Sequence, residues 1–100
     1  MDIKTSVDGS KALIEVAGKL TVNTSPELSA AVEQLPADVR EIDIDLSNVD
    51  YVASAGLRVF VATDKLAVSR GGTMRLLHPC DEVMEVLDMT GLVDIFIIEK

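Results

Sequence analysis

The sequence predicts an α/β domain in which helices pack on one face of a mixed β-sheet. Its most informative segment is "EIDIDLS" at residues 41–47, where apolar and acidic residues alternate. A parallel strand covered on both faces would be apolar throughout, so this strand is covered on one face only. Strand-like and helix-like segments follow in the order β-β-α-β-α-β-α-β, with right-handed strand-helix-strand connections. A length of 100 residues and 48% hydrophobic content are typical of a single domain with its own core.

The first half of the chain predicts a hairpin and then a helix. Asp8-Gly9 is a turn signal between two β-prone runs, and the second run is apolar enough for the middle of a sheet. The segment "SPELSAAVEQLPAD" predicts a helix that Thr24 or Ser25 caps and that Pro36 ends. The residues of this helix with core-facing spacing are Leu28, Ala31, Val32 and Leu35.

The second half predicts a long helix, a strand, a short helix and a closing strand. "DLSN" is expected to end the alternating strand and "VDYV" to cross the end of the sheet, before a helix from about Ala55 to Ser69. "TMRLL", "CDEVMEVLDMTG" and "DIFIIE" predict the remaining strand, helix and strand.

The long helix has a predicted core face and a predicted outer face. A rotation of about 100° per residue, counted from Ser54, gives the core face. This face consists of Val59, Phe60, Thr63, Leu66 and Ala67. The opposite face carries Ser54, Arg58, Val61 and Lys65. Val61 is apolar on this outer face and is therefore a candidate partner contact.

The composition argues against several classes of function. The net charge is −8, from 9 basic and 17 acidic residues, which disfavours nucleic acid and anionic membrane surfaces as partners. No apolar run is long enough to span a bilayer, and "MDIKTSVDGSK" is no signal segment, so a cytoplasmic protein without direct membrane contact is expected. A single cysteine, Cys80, and a single histidine, His78, make a disulfide impossible and a zinc site unexpected. These two residues are interpreted as loop and helix-start residues, and a monomer is the default expectation.

Ser54, in the stretch "DLSNVDYVASAGLRVF", has three candidate roles. As a helix N-cap, it would accept a hydrogen bond from a backbone N–H of the first turn. As a nucleophile, it would need a base, but "VASAGL" lacks the G-x-S-x-G elbow and nothing places His78 nearby. As a phosphate acceptor, it would hold the new charge at the positive end of the helix, where Gly56 lets the backbone be approached closely. The cap and phosphate roles are compatible, and both stay open on this reasoning.

The same stretch is similar to the signature of the STAS family, the sulfate-transporter and anti-sigma-factor-antagonist domains. That signature is Asp-Leu-Ser, a spacer, and Ser-[Ser/Thr/Ala]-Gly-Leu. "VAGKLTVNTSPEL", "GGTMRLLHP" and "VLDMTGLVDIFII" agree with the family in this order, so the resemblance covers nearly all 100 residues. Within the family, the chain most resembles the stand-alone bacterial anti-sigma factor antagonists. The resemblance implies one STAS domain over residues 1–100, a binding protein rather than an enzyme, and no cofactor of its own.

The resemblance also implies a phosphorylation switch. In the family, the serine two positions before the glycine, here Ser54, is phosphorylated by the partner anti-sigma factor, a serine kinase that uses ATP and Mg. The unphosphorylated antagonist binds this kinase and frees the sigma factor, and a PP2C-type phosphatase restores binding after phosphorylation. The resemblance assigns these residues to the partner-binding surface: Thr21, Asn23, Thr24, Ser25, Ala53, Ala55, Gly56, Leu57 and Arg58. Val61 joins them from the outer face of the long helix.

The chain departs from the family pattern at three positions near the acceptor. Many phosphorylated relatives carry Asp or Ser at the position of Ala53, Asp at that of Thr21, and Ser or Thr at that of Ala55. Ser54 is thus the only hydroxyl residue in the turn "VASAG". The missing carboxylates keep an alternative function open, a STAS binding or scaffold subunit of a transporter complex or signalling assembly that is not phosphorylated.

Overall fold

The computed structural model describes residues 1–100 and contains the predicted order of elements. The strands are β1 (Asp2–Asp8), β2 (Lys11–Leu20), β3 (Glu41–Val52), β4 (Thr73–Leu77) and β5 (Ile97–Glu99). The helices are α1 (Ser25–Glu33), α2 (Ser54–Ser69) and α3 (Asp81–Met89), and a short 3-10 turn spans Leu92–Asp94. The order β-β-α-β-α-β-α-β is therefore confirmed.

The five strands form one mixed sheet in the order β1-β2-β3-β4-β5. β1 is antiparallel to β2 across the predicted hairpin, whose turn contains Gly9 at a φ of 61°. All other neighbouring pairs are parallel. The carboxyl ends of β2 and β3 consequently lie at the same end of the sheet, and the loops to α1 and α2 start there.

The two faces of the sheet differ as the alternation in β3 predicts. Ile42, Ile44 and Leu46 are fully buried under the helices. They belong to one hydrophobic core of 21 buried residues, to which all three helices contribute. On the opposite face, the guanidinium of Arg75 binds Asp43 at 2.7 Å. It also binds Glu99 at 3.0 Å and so ties β3, β4 and β5 together. The Asp43 carboxylate raises the pKa of Arg75 above its usual range.

Two strands have different lengths from those predicted. β3 does not end at "DLSN", because it continues through "VDYV" to Val52. Relative to β2, β3 contains extra residues after Asp45 and after Val49, and these bulges keep the polar stretch paired. β5 is shorter than "DIFIIE", since Leu92–Asp94 form a 3-10 turn and only Ile97–Glu99 pair with β4.

The buried face of α2 is rotated about the helix axis relative to the predicted face. Phe60, Thr63 and Ala67 are buried as predicted, whereas Val59 and Leu66 are only half-buried. Gly56 and Leu57 are buried in their place. The helical period alone could not show this rotation, because it depends on how closely the first turn of α2 approaches the sheet. The first helix is also shorter than predicted, so Leu35 reaches the core from the segment after α1.

Candidate functional site

Ser54 is the first residue of α2, directly after β3. The N-cap position belongs to Ala53, whose backbone is extended at φ −83° and ψ 171°, and no side chain caps the helix. The N-cap interpretation of Ser54 is therefore wrong. Its side chain is exposed, as the helical rotation predicts.

The first turn of α2 presents free hydrogen-bond donors. The N–H groups of Gly56 and Leu57 donate to the carbonyl oxygen of Ala53 at 2.9 and 3.1 Å. The N–H groups of Ser54 and Ala55 precede them and have no acceptor within the helix. The first turn of α2 also lacks an acidic side chain, whereas those of α1 and α3 contain one or two. An anion on Ser54 would therefore meet free N–H groups and an uncompensated helix dipole.

The loop before α1 is held in shape by its own threonines. The hydroxyl of Thr24 accepts a hydrogen bond from the N–H of Thr21 at 2.8 Å and donates to the carbonyl oxygen of Lys19 at 2.6 Å. The hydroxyl of Thr21 accepts from the N–H of Asn23 at 3.2 Å. Thr24 occupies the N-cap position of α1 as predicted, but its hydroxyl binds this loop instead of the first turn of the helix. The loop is thus a fixed feature beside α2.

The two predicted halves of the site meet at one end of the sheet. The N–H of Ala53 donates to the carbonyl oxygen of Leu20 at 2.8 Å, which places the start of α2 beside the start of the β2–α1 loop. We call residues 21–25 together with residues 53–58 the Ser54 surface. A groove between α1 and α2 adjoins it and is lined by Val22, Ser25, Pro26, Ser29, Ala30, Glu33, Ala55, Arg58 and Val59.

Three predicted partner-binding residues within the Ser54 surface are buried. Ser25 is 2% exposed and its hydroxyl has no hydrogen-bond partner, and Leu57 is 8% exposed. Gly56 is buried against the sheet, where a Cβ atom would lie 2.9 Å from Cγ1 of Val52 and 3.0 Å from Cβ of Leu20. Gly56 therefore lets α2 pack closely, which differs from the backbone access to phosphate that the sequence suggested.

The remaining predicted residues are accessible to different degrees. Asn23 and Arg58 are exposed, and Thr21, Thr24, Ala53 and Ala55 are half-buried. Val61 is half-buried and packs against the edge of the core, so it is less exposed than predicted.

Two accessible residues at this end of the molecule were missed by the sequence reasoning. Val22 is 70% exposed in the loop before α1, and Tyr51 is 48% exposed next to the end of β3. An apolar residue between Thr21 and Asn23 is the signal that would have identified Val22.

His78 and Cys80 have structural positions on a different loop. The N–H of His78 donates to the carbonyl oxygen of Glu99 at 2.6 Å. Cys80 is the N-cap residue of α3, and its thiol donates to the carbonyl oxygen of Val49 at 3.3 Å. Their predicted places in a loop and at a helix start are therefore confirmed.

The length and hydropathy of a helix decide whether it can cross a membrane. None of the helices in this chain combines the length and the apolar character that crossing a bilayer requires.

Comparison with known proteins identifies the family. A family model described as "Mlab, STAS domain" matches residues 3–99, so the chain belongs to the STAS domain family. The chain is 33% identical over 82 residues to an anti-sigma-B factor antagonist of Bacillus subtilis, which covers 82% of this chain and 75% of that protein. It is 31% identical over 96 residues to an anti-sigma-B factor antagonist of Staphylococcus aureus, covering 95% and 89% respectively. The resemblance read from the sequence is therefore confirmed.

Solved structures confirm the STAS fold. A crystal structure of an anti-sigma factor antagonist from Mycobacterium paratuberculosis superposes with a TM-score of 0.85 at 23% identity, over 98% of this chain and 84% of that one. The Bacillus cell fate determinant SpoIIAA in its phosphorylated form superposes with a TM-score of 0.76 at 16% identity, over 99% and 92%. The mixed sheet with its three helices is thus the fold that these proteins share.

Proposed function

We propose that this chain is an anti-sigma factor antagonist that binds an anti-sigma factor serine kinase, frees the sigma factor and is switched off by phosphorylation of Ser54. The observation that carries the proposal is the position of Ser54. It is exposed at the first position of α2, beside the β2–α1 loop, and its hydroxyl does not cap the helix. Two relatives that align over most of the chain are named anti-sigma-B factor antagonists, which supports the same role. The protein acts as a binding module in the cytoplasm, as a monomer, and is not an enzyme.

The switch is a phosphoryl transfer to the hydroxyl of Ser54. The partner kinase, with its own ATP and Mg, transfers the γ-phosphoryl group to Oγ of Ser54. The hydroxyl proton is released and ADP leaves. A PP2C-type phosphatase reverses the state by hydrolysis, in which water restores the hydroxyl and inorganic phosphate departs.

The start of α2 can hold a phosphate without refolding. The free N–H groups of Ser54 and Ala55 are donors for phosphate oxygens, and the helix dipole favours the negative charge. Phosphoserine adds roughly 1.5 to 2 negative charges and three acceptor oxygens. A partner surface shaped for a neutral hydroxyl would meet this bulk and charge, so the affinity falls while the antagonist keeps its fold.

The Ser54 surface divides into contact residues and supporting residues. Asn23 and Arg58 are exposed enough to contact the kinase directly. Ser25, Gly56 and Leu57 are buried and act by holding the loop and the helix in place. A shallow depression next to Arg58 extends the surface along α2, and it is lined by Leu57, Arg58, Val61, Ala62 and Lys65.

The test is phosphorylation by any serine kinase whose gene is found to neighbour the gene of this protein. After incubation with kinase and ATP, mass spectrometry should place the phosphate on Ser54. Ser54→Asp should abolish binding to the kinase with the fold intact, and Ser54→Ala should bind whether or not ATP is present. Ser69→Asp makes the same change at the other end of α2, where Ser69 is also exposed, and should leave binding unchanged. Phosphate on Ser47 or Ser69 instead of Ser54 would contradict the site.

The departures at Ala53 and Thr21 support a second candidate function. Without the carboxylates that many phosphorylated relatives carry there, the chain could be a STAS scaffold subunit of a transporter complex or signalling assembly. Stable binding to a partner with no phosphate transfer from any neighbouring kinase would favour this function over the first.

A further inference from the structure

Arg58 lies one helical turn after Ser54 on the same side of α2. Residues four apart on a helix have Cβ atoms about 5–6 Å apart, which is within reach of a guanidinium group. Both side chains are exposed, and Arg58 takes part in none of the three ion pairs of the structure. Arg58 is therefore a free cation next to the proposed phosphate acceptor.

No charged group on a neighbouring element forms an ion pair with Arg58. Glu33 of α1 lines the same groove as Arg58 but forms no ion pair with it. At the ends of β2 and β3, Lys19 and Asp50 bind each other at 3.1 Å, so their charges largely compensate. Tyr51 is the remaining titratable group at the end of β3. Arg58 is thus the cation best placed to meet a phosphate on Ser54.

We infer that Arg58 is the intramolecular counter-ion of phosphorylated Ser54, an inference that rests on the proposed function. A guanidinium presents paired N–H donors that match phosphate oxygens, and such charge-assisted bonds are stronger than neutral ones. An anion four residues before a cation is also the favourable order on a helix, because it agrees with the helix dipole. The phosphate is therefore bound between the first-turn N–H groups and Arg58.

This pairing gives the switch a second component. In the unphosphorylated protein, the guanidinium is free to contact an acidic group of the partner. In the phosphorylated protein, the same guanidinium is engaged by the phosphate. Phosphorylation then adds an anion to the Ser54 surface and withdraws a cation from it.

The test uses protein in which phosphoserine is incorporated at position 54 during synthesis, so that no kinase is needed. The second ionisation of the phosphate, with a pKa normally near 6, is followed by ³¹P NMR. Arg58 should hold this pKa down, and Arg58→Gln should raise it by about half a unit, as expected for one charge at about 5 Å in water. Arg58→Lys should retain part of the effect, and added salt should weaken it.

Lys65→Gln is the matched control, since it removes the same charge from the same helix about three turns away from Ser54. It should leave the phosphate pKa unchanged. The inference would be overturned if the phosphate pKa were the same in the parent protein and in Arg58→Gln. It would also be overturned if Arg58→Gln and Lys65→Gln shifted the phosphate pKa equally. If no kinase modifies Ser54, that result counts against the proposed function but not against this inference, because in the NMR experiment the phosphate is incorporated during synthesis.

Discussion

Ser54 and Gly56 are two positions apart in α2 and have opposite surroundings. Ser54 faces solvent at the first helical position, while Ala53 takes the N-cap. Gly56 faces Leu20 and Val52 at distances that leave no room for a side chain. The serine of the family signature is therefore exposed to solvent, and the glycine of the same signature sets how closely α2 packs on the sheet.

Gly56→Ala should destabilise the protein. Forcing a methyl group into this contact costs about 1–3 kcal/mol. Better helix propensity offsets up to about 1 kcal/mol of that cost. The free energy of unfolding, measured by urea titration, should fall accordingly. A Gly56→Ala protein as stable as the parent would show that α2 does not approach β2 and β3 this closely.

Ser54→Ala is the natural control in the same turn. Because the hydroxyl does not cap the helix, its removal should change the free energy of unfolding by less than about 0.5 kcal/mol. A loss of about 1 kcal/mol is the value for a lost N-cap and would contradict the position of Ser54 in the structure.

At the scale of elements, α3 begins with two acidic residues in its first turn, Asp81 and Glu82. The pKa of Glu82 is lowered, first by the hydrogen bond from its own backbone N–H and then by the thiol of Cys80. Cys80 has a single S–H, which points at the carbonyl oxygen of Val49, so the backbone is the main cause. A carboxylate with a lowered folded-state pKa stabilises the fold above its unfolded pKa. That contribution is lost as the pH falls through the folded pKa.

Glu82→Gln should therefore reduce stability at neutral pH and have no effect in acid. The midpoint of urea unfolding for variant and parent should differ at about pH 7 and converge once the pH falls below the lowered folded-state pKa of Glu82, where the carboxyl group is protonated in both the folded and the unfolded state. Glu85→Gln, in the same helix but beyond the first turn, should show a smaller difference at neutral pH. A Glu82→Gln difference that persists unchanged at low pH would rule out the carboxylate as its source.

β3 is longer than the alternating pattern in its sequence predicts. The alternation that predicts a strand stops after Leu46, and Ser47, Asn48 and Asp50 resemble a turn. The strand continues because β2 runs beside it to Leu20, and two bulges absorb the extra residues of β3. The extension determines where Ala53 and Ser54 emerge next to the β2–α1 loop.

At the scale of the whole molecule, one core connects the long helix to the carboxyl-terminal segment. Phe60 of α2 and Phe96, just before β5, meet edge to face with ring centroids 6.4 Å apart and an interplanar angle of 87°. Both rings are buried. The chain has few aromatic residues, so this pair is a specific contact within a core made mainly of aliphatic side chains.

A double-mutant cycle should detect this contact. Phe60→Leu and Phe96→Leu should couple by about 0.5–1.5 kcal/mol in the free energy of unfolding. Phe60→Leu combined with Val7→Ala, at the exposed edge strand β1, should be additive within about 0.5 kcal/mol. Additivity of the two phenylalanine changes would mean that the segment before β5 does not pack on α2.

The sequence by itself determined the order of the elements, the sheet covered on one face, the hairpin turn and the exposure of Ser54. These features depend on residues close together in the chain, through alternation in β3, helical spacing in α2 and the turn at Gly9. The tertiary structure alone decided that Ala53 and not Ser54 is the N-cap, that Ser25 and Leu57 are buried, and that β5 is short. Those features depend on contacts between residues far apart in the chain, such as Gly56 against Leu20. Local periodicity carries no information about such contacts.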